Sequence, residues 1–156
     1  MARSLSLPLL VLALLVAACG DDGDPVRAGS GDPDPGPAPI TELTVAYTHT
    51  GAEVAATYRI TCLGDTATVD GDEVDVDARA ACDALTEPAV QQRITLGAPT
   101  DRACTEVYGG EDTATITGRV DDVAVDTTVD RTNGCGIGEW DDLLAAILPT
   151  PIGVQP

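Results

Sequence analysis

Residues 43–62 read LTVAYTHTGAEVAATYRITC, and the alternation within them decides the fold. Leu43, Val45 and Tyr47 fall on one face of an extended chain, with Thr44, Ala46 and Thr48 on the other. After His49-Thr50-Gly51-Ala52 the period of two resumes through Val54, Ala56, Tyr58, Ile60 and Cys62. Two such runs around a short Gly-containing break predict an antiparallel hairpin. A second hairpin is predicted further on. Ala114, Ile116, Gly118 and Val120 alternate before Asp121-Asp122, and Val123, Val125, Thr127 and Val129 alternate after it. Asp126 and Asp130 on the other face of that last run imply a sheet with one side in water.

Between the hairpins, DVDARAACDALTE places Val76, Ala80 and Ala84 four residues apart, with Ala81 and Leu85 beside them. Asp75 or Asp77 can cap this helix, and Pro88 lies beyond its expected end. A second helix is expected in GEWDDLLAAIL, where Trp140, Leu143, Leu144 and Ile147 share a face and Pro149 stops it. The expected class is α+β: an antiparallel sheet of four to five strands with two helices packed on it. The domain is expected to span residues 40–148, followed by a flexible C-terminal tail, 149–156.

Composition removes several functions. The 156 residues carry 26 acidic and 8 basic side chains, all Arg, for a net charge of −18. Such a chain cannot neutralise a row of phosphates, so nucleic acid is not an expected partner. The only serines are Ser4, Ser6 and Ser30, so the domain carries no Ser–His–Asp triad. His49 is the sole histidine, which starves acid–base and zinc chemistry alike.

The N-terminus reads as an address. Arg3 precedes the apolar stretch LSLPLLVLALLVAA, which is too short for a comfortable membrane span. Val16-Ala17-Ala18-Cys19 then resembles a bacterial lipobox, in which the Cys is acylated and becomes the first mature residue. Residues 1–18 are thus expected to be a lipoprotein signal peptide and Cys19 the lipidation site. Two acyl chains suffice for stable anchoring at the outer face of the cell membrane. Losing 18 residues leaves 138, and without Arg3 seven cations face 26 acids, a charge of −19. Residues 20–39 hold ten Gly or Pro in twenty positions, which suits a disordered stalk rather than a core. At about 3 Å per residue it reaches up to roughly 60 Å. Asp32 and Asp34 within it read as solvated charge, because the alternating prolines leave no calcium-ligand register.

Four cysteines remain: Cys62, Cys82, Cys104 and Cys135. An even number in an exported, aromatic-poor domain implies two disulfides, and no pair has the close spacing of metal ligands. Of the three pairings, Cys62–Cys82 with Cys104–Cys135 is expected. It staples the second strand to the first helix, and the 104 loop to the start of the second.

The surroundings of these cysteines carry a resemblance. LTV opens the first strand, RITC ends the second, ACDAL holds the helical Cys, and CTEVYGG leads into a Thr/Val-rich hairpin ending DRTNGCG. Over residues 41–140 this order is similar to the subtilisin-inhibitor-like family of secreted bacterial serine-protease inhibitors. The resemblance implies a five-stranded antiparallel sheet with two helices, the same sequential disulfides, and a possible homodimer through the sheet. It also implies a reactive loop with Cys104 at P3, Thr105 at P2, Glu106 at P1, Val107 at P1′ and Tyr108 at P2′. Such a loop lies in a protease cleft as an added strand while P1 fills the S1 pocket. Family members commonly carry Pro at P2, where this chain has Thr105. Glu106 suits neither an apolar S1 pocket nor one with a buried acid, so a Glu-preferring serine protease is the expected partner. Gly109-Gly110 is expected to loosen the primed side.

The reading is therefore a lipid-anchored, non-enzymatic serine-endopeptidase inhibitor, without cofactor or metal. The alternative is a non-inhibitory envelope lipoprotein of the same fold that binds another protein. An enzyme would rest on the carboxylates Asp70, Asp72, Glu73, Asp75 and Asp77, as a glycosidase pair or a calcium site. Acidic runs before a helix more often cap it and face water, and no sugar-stacking aromatic accompanies them. His49 reads as a turn residue, Trp140 as core, and Tyr108 as either a sheet contact or a protease contact.

Overall fold

The computed structural model describes residues 40–50 and 54–152. Residues 1–39, which hold the expected signal segment, Cys19 and the expected linker with Asp32 and Asp34, lie outside the described part, as do residues 51–53 and the last four residues.

Strand β1 (Ile40–His49) pairs antiparallel with β2 (Val54–Leu63), Val45 facing Tyr58 and Leu43 facing Ile60. On its other edge β1 pairs with β4 (Asp112–Val120), Val45 facing Ile116. Strand β5 (Val123–Asp130) adds to β4, and β3 (Thr66–Gly71) adds to β2, giving the order β3-β2-β1-β4-β5. The alternating residues fall as their period demands: Leu43, Val45, Tyr47, Tyr58, Ile60 and Ile116 are buried, and their neighbours face outward. At the second hairpin Asp121 and Asp122 adopt φ of 46° and 68°, the left-handed pair of a two-residue turn that matches strand twist.

Strand β3 escapes the sequence reading because it is short and on the edge. Its Thr66 and Asp70 are exposed, and only Ala67, Thr68 and Val69 are partly covered. Helix α1 (Ala78–Ala84) begins where expected: the Asp77 carboxylate accepts from Ala80 N at 2.7 Å. Its buried residues are Ala81 and Leu85, whereas Ala80 is exposed, so the contact stripe is rotated from the expected one. Pro88 does not follow a helix end into a loop. It occupies the first turn of a further helix, α2 (Pro88–Leu96), where its missing N–H costs nothing. This helix buries only Val90, Arg93 and Ile94, too sparse an apolar pattern to stand out in sequence.

The expected C-terminal helix is also re-registered. Helix α3 (Gly134–Gly138) starts earlier, capped by Asn133 Oδ1 accepting from Cys135 N and Gly136 N, and passes into a π-helical turn, Glu139–Leu143. Trp140, Leu144 and Ile147 are nevertheless buried as expected, with Leu143 only partly covered. Trp140 meets Tyr47 edge to face at 6.0 Å, and Tyr58 Oη donates to Ile147 O at 2.7 Å. Residues 149–152 are tied down as well: Pro149 O accepts from Trp140 Nε1, and Thr150 N donates to Asp75.

Both disulfides are as expected. Cys62–Cys82 joins β2 to α1 and Cys104–Cys135 joins the 97–111 loop to α3, with Cα separations of 5.7 and 5.3 Å. Closing separations of 20 and 31 residues contributes about 3–4 kcal/mol each on the chain-entropy account.

Candidate functional site

The chain between α2 and β4 contains a stretch outside helix and strand, residues 102–110, whose first seven residues are all exposed. Backbone outside helix and sheet needs other partners for its polar groups, and one segment, residues 131–135, supplies two of them. Cys104 is disulfide-linked to Cys135, and Thr105 O accepts from Gly134 N at 2.9 Å. Four residues on, Gly109 N donates to Arg131 O at 2.8 Å. Between these two feet Glu106, Val107 and Tyr108 form an arch, with Val107 and Tyr108 each 59% exposed. The loop thus displays two large hydrophobic side chains while both its ends are fixed.

The supporting segment is itself fixed. Asp130 Oδ1 accepts from Thr132 N at 2.8 Å, and Asn133 caps α3. Loop and strut approach closely at two glycines. A Cβ on Gly134 would stand 2.0 Å from Thr105 Oγ1, and one on Gly109 would stand 2.5 Å from Ile137 Cγ1. Gly109 therefore lies close against α3.

Two buried charge networks underlie the ends of the loop, and neither was foreseen. At the entry, Glu139 accepts from Arg93 Nε at 2.6 Å and from Arg102 at 2.6 Å, while Arg93 also donates to Thr127 Oγ1 and Thr128 O. At the exit, Asp112 is 1% exposed and its Oδ1 accepts from Tyr47 Oη at 2.7 Å. His49 Nδ1 lies 2.9 Å from the same oxygen, and Ile152 N donates to it at 3.4 Å. Asp112 Oδ2 makes no hydrogen bond among the described residues, but the guanidinium of Arg131 lies 3.9 Å away. Burial, then the hydrogen bond to Asp112, hold the Tyr47 phenol well above its ordinary range.

A signal for the exit network was present. Asp112 stands in the inward register of Ala114 and Ile116, and Arg131 in that of Val125 and Val129. One step beyond the Thr113–Asp130 pair, they are an acid and a base on neighbouring strands, both continuing a buried face.

The acidic cluster is not brought to one point. Asp70 is exposed on β3, Asp72 accepts from Thr57 N at 2.7 Å, and Asp77 caps α1. Hydrogen bonding from Thr150, its side chain first and then its backbone N–H, outweighs burial and holds the Asp75 carboxyl below its usual range. Among the described residues no group of three or more His, Cys, Asp or Glu is arranged to hold a metal. His49 closes β1 and pairs with Asp112. Trp140 is core, and Tyr108 lies on the exposed arch. No helix among the described residues is long and apolar enough to cross a membrane. No protein-family model, curated protein or solved structure matches the chain.

Proposed function

We propose that this domain is a substrate-like inhibitor of serine endopeptidases, with Glu106-Val107 as the P1–P1′ bond. The observation that carries the reading is the arch itself: three exposed residues whose flanks are bonded to one strut at Thr105 and Gly109, with the disulfide one residue outside. A loop fixed in this way loses little conformational freedom on entering a cleft, so more of its contact energy becomes affinity. It also stays in place if the bond is cut, because both new ends remain attached to residues 131–135. The resemblance of CTEVY and its neighbouring cysteines to subtilisin-inhibitor-like proteins supports the same residues.

Glu106 sets the partner. Burying its carboxylate in an apolar or acidic S1 pocket is unfavourable by several kcal/mol, so the pocket must be basic or rich in donors. The lipobox Val16-Ala17-Ala18-Cys19 would hold the inhibitor outside the cell membrane on a stalk, facing extracytoplasmic proteases. The test is to incubate residues 40–156 with a panel of serine proteases that includes a Glu-preferring one. Tight inhibition of that enzyme, moving toward subtilisin in Glu106→Met and toward trypsin in Glu106→Arg, is the expected result. Failure of all three folded proteins against the whole panel would leave the alternative, a non-inhibitory binding module.

A further inference from the structure

Arg131 bonds Gly109 at both its N–H and its C=O. Its carbonyl accepts from Gly109 N at 2.8 Å, and its Nε donates to Gly109 O at 3.4 Å. The guanidinium is only 3% exposed and has no freedom to leave: Nη1 donates to Asp141 Oδ1, and Nε lies 3.9 Å from Asp112 Oδ2. Asp112 is in turn fixed by Tyr47 of β1, which packs on Trp140. A continuous path of buried groups thus runs from the sheet core through Asp112 and Arg131 to Gly109, three residues beyond Glu106.

We propose that Arg131 is the positioning residue of the loop's primed side, holding Gly109 so that the Val107 nitrogen stays beside the Glu106 carbonyl carbon before and after cleavage. The assignment rests on reading residues 104–110 as a reactive loop. Only two residues, Val107 and Tyr108, separate the new amine from the clamp. Religation returns the Glu106 acyl carbon from the protease's serine oxygen to the Val107 nitrogen. The C–O ester bond breaks, the C–N bond forms and the amine proton goes to the serine oxygen, so no co-reactant is required. Arginine suits this place because one rigid planar fork faces two carboxylates and a carbonyl together, whereas a lysine ammonium is a compact charge on a flexible stem without a donor at the Nε position.

The test uses Arg131→Lys, which keeps the positive charge between Asp112 and Asp141 but lacks the Nε–H. Two readouts are followed: amide exchange at Gly109, and the rate at which a Glu-preferring serine protease cuts Glu106–Val107. Both are expected to rise about tenfold, the loss of one charge-assisted hydrogen bond, with the exchange of Val45 and Ile116 unchanged. A role in stability alone would lower Tm without that selective change at Gly109. If Arg131→Lys does not fold, Asp141→Asn loosens the outer anchor from the exposed side, and a smaller rise at Gly109 is expected. Wild-type exchange and cutting in whichever variant folds would overturn the proposal. If no protease engages wild type, the inhibitor reading falls, and selective loss of Gly109 protection still decides whether Arg131 holds the loop.

Discussion

Replacing Gly134 with Ala places a methyl carbon 2.0 Å from Thr105 Oγ1, well inside van der Waals contact. The next atoms are farther off, Thr105 Cβ at 3.4 Å and Thr105 O at 3.6 Å, so the clash belongs almost wholly to one hydroxyl. Two of the three staggered χ1 positions of Thr105 leave a heavy atom aimed at the methyl, so relief comes from the remaining rotamer or from moving the loop. Overpacking of this kind costs about 1–3 kcal/mol, and losing the Gly134 N to Thr105 O hydrogen bond adds about 1 kcal/mol. Against this, Ala at the first position of α3 gains up to about 1 kcal/mol over Gly in helix propensity. Global stability should therefore fall by only about 1–3 kcal/mol, while the loop is displaced at P2 and inhibition weakens by about tenfold to a hundredfold. The double variant Gly134→Ala/Thr105→Ala removes the clashing hydroxyl and leaves contacts of 3.4 Å or more. Thermal unfolding and inhibition constants for wild type, both single variants and the double variant form a cycle. The expected coupling exceeds about 1 kcal/mol in both measurements, with the double variant close to Thr105→Ala alone. Additivity within about 0.5 kcal/mol would refute the close seating of Thr105 on Gly134.

Three further outcomes follow from the same contacts. Arg93→Met leaves Glu139 buried with Arg102 as its remaining cationic partner, and should cost about 3–5 kcal/mol of stability in denaturant unfolding. Cys104→Ala/Cys135→Ala should lose about 3–4 kcal/mol and, when incubated with the target protease, be cut at Glu106–Val107 and released rather than held. At alkaline pH, burial raises both Tyr47 and Tyr58 above the ordinary phenol value of 10.0. The stability this represents is full below that value and is lost as pH rises through the folded-state values. Phenolate absorbance from Tyr47 and Tyr58 should therefore appear only together with unfolding, after the exposed Tyr108 has ionised; early ionisation of all three would contradict the buried hydrogen bonds.

Much of the fold was legible because β-alternation is a local signal. Leu43 to Tyr47 and Ala114 to Val129 each state their own face, and the turn at Asp121-Asp122 states its own position. The elements that were missed lack such a statement. Strand β3 gains its hydrogen bonds from β2 rather than from an apolar stripe, and α2 buries an arginine where a helix pattern calls for an apolar residue. Pro88 is ambiguous by nature, since a proline both ends one helix and opens another. Trp140, Leu144 and Ile147 were correctly assigned to the core, yet their helix is interrupted by a π turn that buries Glu139 toward Arg93.

The arch at residues 104–110 was found through a resemblance and not through its physics, and the reason lies in how its support is distributed. Its feet rest on Arg131 and Gly134, more than twenty residues away in sequence. No window of periodicity contains both halves. What the sequence did hold was an inward-facing Asp112 and an inward-facing Arg131 at the mouths of adjacent strands. Unpaired, either would cost several kcal/mol in a core this small, so each demands the other. These two opposite charges, in the buried register of paired strands, stand beside the foot at Gly109. In this chain they mark the exit of the segment that displays Glu106, Val107 and Tyr108.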